Sequence, residues 1–557
     1  MKKTIHYPSI IFLLALAIWF IAKPPHQPTV APNPVASAKS LPSDWMYDQR
    51  AYPHNHIDRL AYRDAFRQTK LARSEAQSRG ANEWVPAGPV NIGGRITDVA
   101  LDPVNQNIIY AGTSVGGIFK SADGGETWTA VFDDAGALSI GALAVAPSAP
   151  NTVYAGTGEA NGSFSTGAFF GNGLYKSTDG GNTWINAGLE NTNHIGRIAV
   201  DPQNADHVYA ATTGVLYGKN EDRGLYRTFD GGQNWDKVLY LSDSTACIDV
   251  AINPQNANIV YAAMWERIRQ PWGRRYGGPT SGIYRSLDGG ENWEQLTDGL
   301  PSSDAETGRI GIAVAPSAPN VVYACFTTNA VTNVFNGVYK STDAGSSWTH
   351  VDDGSIANVF SSFGWFFGNL RIAPDDPGKV WCLGVPLYHS QDGGVSWSNV
   401  TSGMHVDQHA LEFHPLNPGF MVAGNDGGLY ISQNGGESWS HVEVLPITMF
   451  YNADINYQAP EQLFGGTQDN GTNRTPAGAT DGWEKILGGD GFHVLVDPAD
   501  PQYVYAEYQF GNLFRSDDGG NSMSFIFNGG NDDRTNWNTP IVFDPSDPAT
   551  LYYGANI

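Results

Sequence analysis

Eight times between Gly117 and Met523 the chain repeats one phrase. Gly173–Trp184 reads GLYKSTDGGNTW. GIFKSADGGETW ends at Trp128, GLYRTFDGGQNW at Trp235, GIYRSLDGGENW at Trp293 and GVYKSTDAGSSW at Trp348. Shorter copies end at Trp397, Trp439 and Met523. The copies share an alternating apolar/polar flank, a turn of the form Ser-x-Asp-Gly-Gly (with Thr228, Ala344 and Asn434 as exceptions) and, in all but the last, a trailing Trp. The glycines allow positive φ, and the Asp can accept from backbone N–H groups beyond it. Each copy therefore reads as a β-hairpin. One active site does not need eight equivalent copies of the turn, so these Asp residues are assigned to turn chemistry rather than to catalysis or calcium binding.

A second phrase precedes each copy: VALDPVNQNIIYAGT at Val99–Thr113, IAVDPQNADHVYAAT at Ile198–Thr212, IAVAPSAPNVVYACF at Ile312–Phe326. It reads as strand, tight Asp-Pro or Ala-Pro turn, strand. Four antiparallel strands per unit follow. The turns recur at 102, 146, 201, 253, 315, 373, 414, about 457, 497 and 544, so ten units span this region. A period of roughly 49 residues is that of a propeller blade. The expected fold is all-β, a β-propeller of about ten four-stranded blades over residues 83–557. A single ring is favoured over two smaller ones. The last blade is incomplete, as in a fragment of a longer protein, and EWVPAGP at Glu83–Pro89 is a candidate outer strand to close the ring.

Residues 1–22 carry Lys2 and Lys3 before the apolar run Ile10–Ala22, a signal peptide or a signal anchor. Residues 23–43 form a Pro-rich linker, and residues 44–80 carry a helical leader with helical apolar spacing from Ile57. A net charge of −24 argues against nucleic acid or an anionic membrane as partner. Membrane attachment would come only through an uncleaved N-terminal segment. The expected location is outside the cell or in its envelope. Cys247, Cys325 and Cys382 form neither a disulfide framework nor a zinc pattern.

Strand alternation puts both repetitive turns on one face and the irregular loops on the other, where function is expected. The richest loop, Ala263–Gly282, holds Trp265, Glu266, Arg267, Arg269, Trp272, Arg274 and Tyr276, residues suited to stacking on a sugar or clamping a carboxylate. Trp365 lies in a second aromatic loop, Asp352–Leu370. His405, Asp407 and His409, at i, i+2 and i+4, would share a strand face and could hold a divalent metal or serve as an acid–base set; a hydrated channel lining is the alternative. Otherwise no cofactor is expected. Asp426, Asp469 and Asp490 interrupt the repeat at strand ends, with His493 nearby, and are the candidate catalytic carboxyls.

The Ser-x-Asp-x-Gly-x-x-Trp copies resemble the Asp-box, or bacterial neuraminidase, repeat. The QRAYP leader, GPVNIGGR at Gly88–Arg95, the AAMWERIRQPW loop, HVDQHA, GNDGG and GGTQDNGT resemble exported bacterial glycosyl hydrolase-like and sortilin-type propellers. That resemblance implies recognition of an extracellular glycan, with glycoside hydrolysis by paired Asp residues. Its alternative implication is a non-catalytic sortilin-type propeller binding protein or peptide in surface assembly. Two departures stand out. Sialidases carry Arg-Ile-Pro where this chain has Arg95-Ile96-Thr97. Xyloglucanase-type enzymes carry Asp-Val-Gly-Gly in the first blade, where this chain has Ser114-Val115-Gly116-Gly117.

Overall fold

In the computed structural model each repeated turn is tied by the same hydrogen bonds. In the first, Gly125 N–H donates to Ser121 Oγ (2.9 Å), and Ser121 Oγ donates to Asp123 Oδ1 (2.8 Å). Thr127 donates its N–H and its hydroxyl to the two oxygens of Asp123. Gly124 and Gly125 sit at φ 78° and 101°, the region that only glycine enters without strain. Trp128 then closes on the Gly125 carbonyl (3.0 Å). The bonds donated by Thr127 and Ser121 lower the exposed Asp123 carboxyl to about 2. Asn434 takes the same place in the seventh copy, so the turn needs the acceptor geometry rather than the charge.

The structure describes residues 52–54, 58–78, 85–162, 169–270, 273–328, 333–530 and 533–556. The signal segment and the linker lie outside them. Among the described residues, nine four-stranded antiparallel sheets follow one another, then a two-stranded tenth, Ile541–Asp544 with Asp547–Tyr553. Blade 1 is Ile96–Leu101, Ile109–Thr113, Ile118–Ser121 and Thr129–Ala130. The fourth blade carries an extra hairpin, Ile268–Gln270 with Gly273–Arg275, in its second connection. One helix, Arg59–Ser78, opens the described chain, with Asp58 accepting from Ala61 N–H. It lines a cavity of about 270 Å³ together with Asp133, Asp134 and Asn172 of blades 1 and 2.

The blades are latched by the tyrosine of the VYA phrase. Tyr110 donates to Gly180 O, Tyr154 to Ala205 O, Tyr261 to Ala344 O and Tyr323 to Pro377 O, each in the following blade, at 2.8–3.0 Å. Between blades the facing side chains form apolar clusters, as alternation along strands buried on both faces requires.

The ten units do not share one ring. Ile96, Val99, Ile109 and Phe119 of blade 1 pack against Phe420, Val422, Leu429 and Ile431 of blade 7. The innermost strand of blade 7, Gln408–His414, lies beside that of blade 1. Seven blades therefore close on themselves, which corrects the single ten-bladed ring. Blades 8 and 9 form a separate core with Phe464, Val494, Val496, Val504 and Ala506. In the closing strand expected at Glu83–Pro89, Glu83 and Trp84 lie outside the described residues, and Val85–Pro89 forms no strand among the described residues. Instead Val90 N–H donates to Thr480 O, and Trp483 of blade 8 donates to Ala87 O. The segment thus runs along blade 8 rather than sealing a blade.

The axis of the seven-bladed ring holds a cavity of about 440 Å³. Its walls include the innermost strands, Arg197, Asp249, Arg371 and Glu412, and it opens among the turn prolines Pro103, Pro147, Pro316, Pro374 and Pro415. Burial raises Glu412 to about 7.

Candidate active site between the first ring and blade 8

The chain enters the first blade through Gly93-Gly94-Arg95. A side chain at Gly93 would collide with the Gly427 carbonyl, and one at Gly94 with the Ile447 carbonyl. The glycine pair lets the backbone pass between blade 7 and the start of blade 8, and it delivers Arg95 to a fixed place.

Arg95 is 3% exposed and touches three carboxyl groups. Its Nε donates to Asp426 Oδ1 at 2.7 Å. One terminal nitrogen lies 3.4 Å from Glu159 Oε2, the other 3.4 Å from Asp469 Oδ2. Asp426 sits at the second turn of blade 7, Glu159 just past the second strand of blade 2, and Asp469 at the second turn of blade 8. All are on the face of irregular loops. His409 Nε2 also meets Asp426 Oδ1, at 2.8 Å. Ser114 Oγ donates to Glu159 Oε2 at 2.9 Å. Asp490 accepts from Asp469 N–H (2.7 Å) and from Gln509 Nε2 (3.0 Å). Phe366 lies under Arg95, and Phe367 stacks on His409.

These carboxyls differ in charge state. Burial opposes ionisation of Asp426, but Arg95 and His409 overcome it and hold the group far below the usual carboxylate range. Burial, with Asp490 and Asp426 nearby, pushes Asp469 well up. Burial likewise raises Asp490, against its hydrogen bonds. Asp407 rises to about 8 through burial and the charge of Asp426. A carboxyl held low beside carboxyls pushed up is a pairing that acid–base chemistry can use. The side chain of Asp469 is 25% exposed, whereas that of Asp426 is 5% exposed.

The structure thus gathers Asp426, Asp469 and Asp490, the three carboxyls singled out in sequence. The proposed metal set does not lie on one strand. Strand Gln408–His414 begins after Asp407, which has φ 70°, so the three residues do not share a strand face. His405 turns its ring nitrogens to Val406 O and Asp469 O, while His409 takes Asp426. Among the described residues no cluster of His, Cys, Asp and Glu is arranged to hold a metal ion.

The loop expected to bind ligand is folded into the protein. Trp265 and Arg267 are fully buried, Arg269 and Glu266 nearly so. The Arg267 guanidinium lies over Trp265, Tyr276 and Trp365 and donates to the carbonyls of Trp365, Asn161 and Gly162. Trp265 Nε1 donates to Tyr276 O, and Tyr276 stacks on Trp365. Glu266 accepts from Arg275 and Thr280. Burial lowers Arg267 to about 9. Trp265, Glu266, Arg267 and Arg269 thus brace the loop from inside, while Tyr276 is half-buried. Trp272 lies outside the described residues; Arg274 is described through its backbone, in strand Gly273–Arg275. His493 pairs with Asn452 between blades 8 and 9 (3.1 Å) and is lowered by burial.

Arg95 and Glu159 were not among the selected candidates. A signal existed for Glu159. It occupies the strand end of blade 2, in GTGEA, that Asp426 and Asp469 occupy in GNDGG and GTQDN.

A family model described as sortilin, neurotensin receptor 3, matches residues 172–309. A Paenibacillus xyloglucanase is 25% identical over 348 residues, 55% of this chain and 31% of its own length. An oligoxyloglucan-reducing-end-specific xyloglucanase of Emericella nidulans is 24% identical over 376 residues, 58% of this chain and 43% of its own. The chain thus spans less than half the length of these curated relatives. Among solved structures, a GH74 enzyme of Niastella koreensis superposes with a TM-score of 0.58 at 17% identity, over 84% of this chain and 70% of that one. An ancestral GH74 enzyme gives 0.55 at 19%, over 85% and 75%. The structural likeness establishes the propeller fold. The relatives place the chain near carbohydrate-acting glycoside hydrolases.

Proposed function

We propose that this chain is a glycoside hydrolase acting on a xyloglucan-like β-glucan outside the cell, with its site at the Arg95 cluster. The observation that carries the reading is one guanidinium touching both kinds of carboxyl: ionised Asp426 and raised, partly exposed Asp469. Asp469 is the general acid, protonating the leaving glycosidic oxygen. Asp490, hydrogen-bonded to the Asp469 backbone, holds that turn in place. An ionised carboxylate on the same guanidinium accepts the proton of the attacking water. A single guanidinium between two carboxyls limits their separation to roughly 9 Å, an upper limit that overlaps the about 6.5–9.5 Å used by inverting glycosidases. The xyloglucanase relatives support the substrate class.

The test is reducing-sugar release from soluble plant β-glucans, xyloglucan among them, by the purified chain and by Asp469→Asn. Wild type should hydrolyse at least one glucan. The variant should fold and lose about 10²–10⁴-fold in kcat, the usual share of a general acid. A folded wild-type chain that cleaves none of them would sink the reading.

A further inference from the structure

The Arg95 cluster contains two carboxylates that could accept the proton of a water, and their surroundings differ. Asp426 is engaged. Its Oδ1 takes both the Arg95 Nε and the His409 ring, and its main-chain carbonyl accepts from Asn470 Nδ2. Arg95 lies 2.7 Å from Asp426 but 3.4 Å from Glu159, so Asp426 is the more tightly paired of the two, and taking a proton there would break the ion pair that secures Arg95.

Glu159 is placed differently. It is 2% exposed. Its Oε2 accepts from Ser114 Oγ and faces Arg95, but its Oε1 is buried and has no hydrogen-bond partner among the described residues. A buried carboxylate oxygen without a donor is costly, and native structures supply one. A water, or a hydroxyl of a bound ligand, can supply that donor. The backbone around Glu159 is braced for this. Its N–H donates to Ser139 Oγ, and Gly158, at φ 81°, packs where a side chain would meet the Asn193 carbonyl. Ser114, at the turn of blade 1, fixes the orientation of the carboxylate from the other side.

We propose that Glu159 is the general base of this site, with Ser114 orienting it and Asp426 serving to hold Arg95; this rests on the glycoside hydrolase reading above. In the step, a water donates a hydrogen bond to Glu159 Oε1 and attacks the anomeric carbon. The new C–O bond forms as the glycosidic C–O bond breaks. Glu159 takes the water proton, and Asp469 gives its proton to the departing oxygen. Solvent then removes the proton from Glu159 and returns one to Asp469, so one water is consumed per bond cleaved.

The experiment uses the full chain and a glucan that wild type hydrolyses. Glu159→Gln is expected to lower kcat by about 10²–10⁴-fold while KM changes little. Glu159→Ala with added sodium azide, on an activated aryl glycoside, should regain turnover and yield a glycosyl azide, because azide needs no base. Ser114→Ala should move the acid limb of the pH–rate profile upward, since it removes a donor to the ionised form. A merely structural Glu159 would produce neither the azide rescue nor the limb shift. A folded Glu159→Gln with wild-type kcat overturns the assignment while leaving the hydrolase reading intact. If both Glu159 variants fail to fold, an acid limb unmoved in Ser114→Ala overturns it. A folded wild type without activity on any glucan overturns both.

Discussion

Asp407 offers the most direct test of the electrostatics of the site. Its carboxyl rises from 3.8 to about 8, chiefly through burial, then through Asp426 and Asp490, against Arg95. A carboxyl raised in the folded state contributes its stability below its unfolded pKa and loses it as pH rises toward the folded value. Between pH 3.8 and about 8 the folded chain keeps a proton that the unfolded chain gives up. At 1.36 kcal/mol per pH unit, the penalty at pH 7 reaches about 4 kcal/mol. Asp407→Asn removes the titration while retaining the shape. Asn also suits the backbone, because Asp407 sits at φ 70°, where Asn is among the few tolerated residues. Its N–H bond to Val385 O is unaffected by the exchange. The assay is urea denaturation of wild type and variant at pH 4 and pH 7. The variant should match wild type at pH 4 and be more stable at pH 7, by up to about 4 kcal/mol. An equal gain at both pH values, or none at pH 7, would refute the reasoning.

Removing the hub should act in the opposite direction. Arg95→Met leaves Asp426 and Glu159 buried without their cation, and a loss of about 3–5 kcal/mol is expected in denaturation midpoints. Tyr323→Phe deletes the hydroxyl that latches blade 5 to Pro377, and should cost about 1 kcal/mol with activity retained. In the first repeated turn, Asp123→Asn should fold as wild type, because Asn434 already serves in blade 7. Asp123→Ala should instead speed hydrogen exchange at the Thr127 amide, which would then lack its acceptor.

The repeat chemistry was legible residue by residue. Ser121, Asp123 and the two glycines make a turn whose bonds lie within seven residues, and so do their seven counterparts. Such local bonds survive any global arrangement, which is why they announce four-stranded blades so clearly. Asp426, Asp469 and Asp490 were visible for a related reason. They are carboxyls at strand ends where the repeat needs none, and the topology carries those ends to one face.

What the repeats could not specify is how many of them close. Each blade presents apolar residues on both faces. Leu429 and Ile431 of blade 7 could as well have met blade 8, yet they pack on Ile109 and Phe119 of blade 1. That choice depends on side-chain fit between residues more than 300 positions apart. The loop Ala263–Gly282 was open in the same sense. Arg267 among aromatics can greet a ligand or brace a fold, and composition is identical in both cases. Only the packing of Trp265, Tyr276 and Trp365 around its guanidinium decides, because burial is a property of the neighbours. Likewise His405, Asp407 and His409 had the spacing of one strand face, yet the strand begins only after a left-handed Asp407. Sequence by itself determined the turns, the blade and the face that bears the candidate site. The tertiary structure decided which blades meet, which charges are buried and which carboxyls share Arg95, since those depend on contacts between units that the local code writes alike.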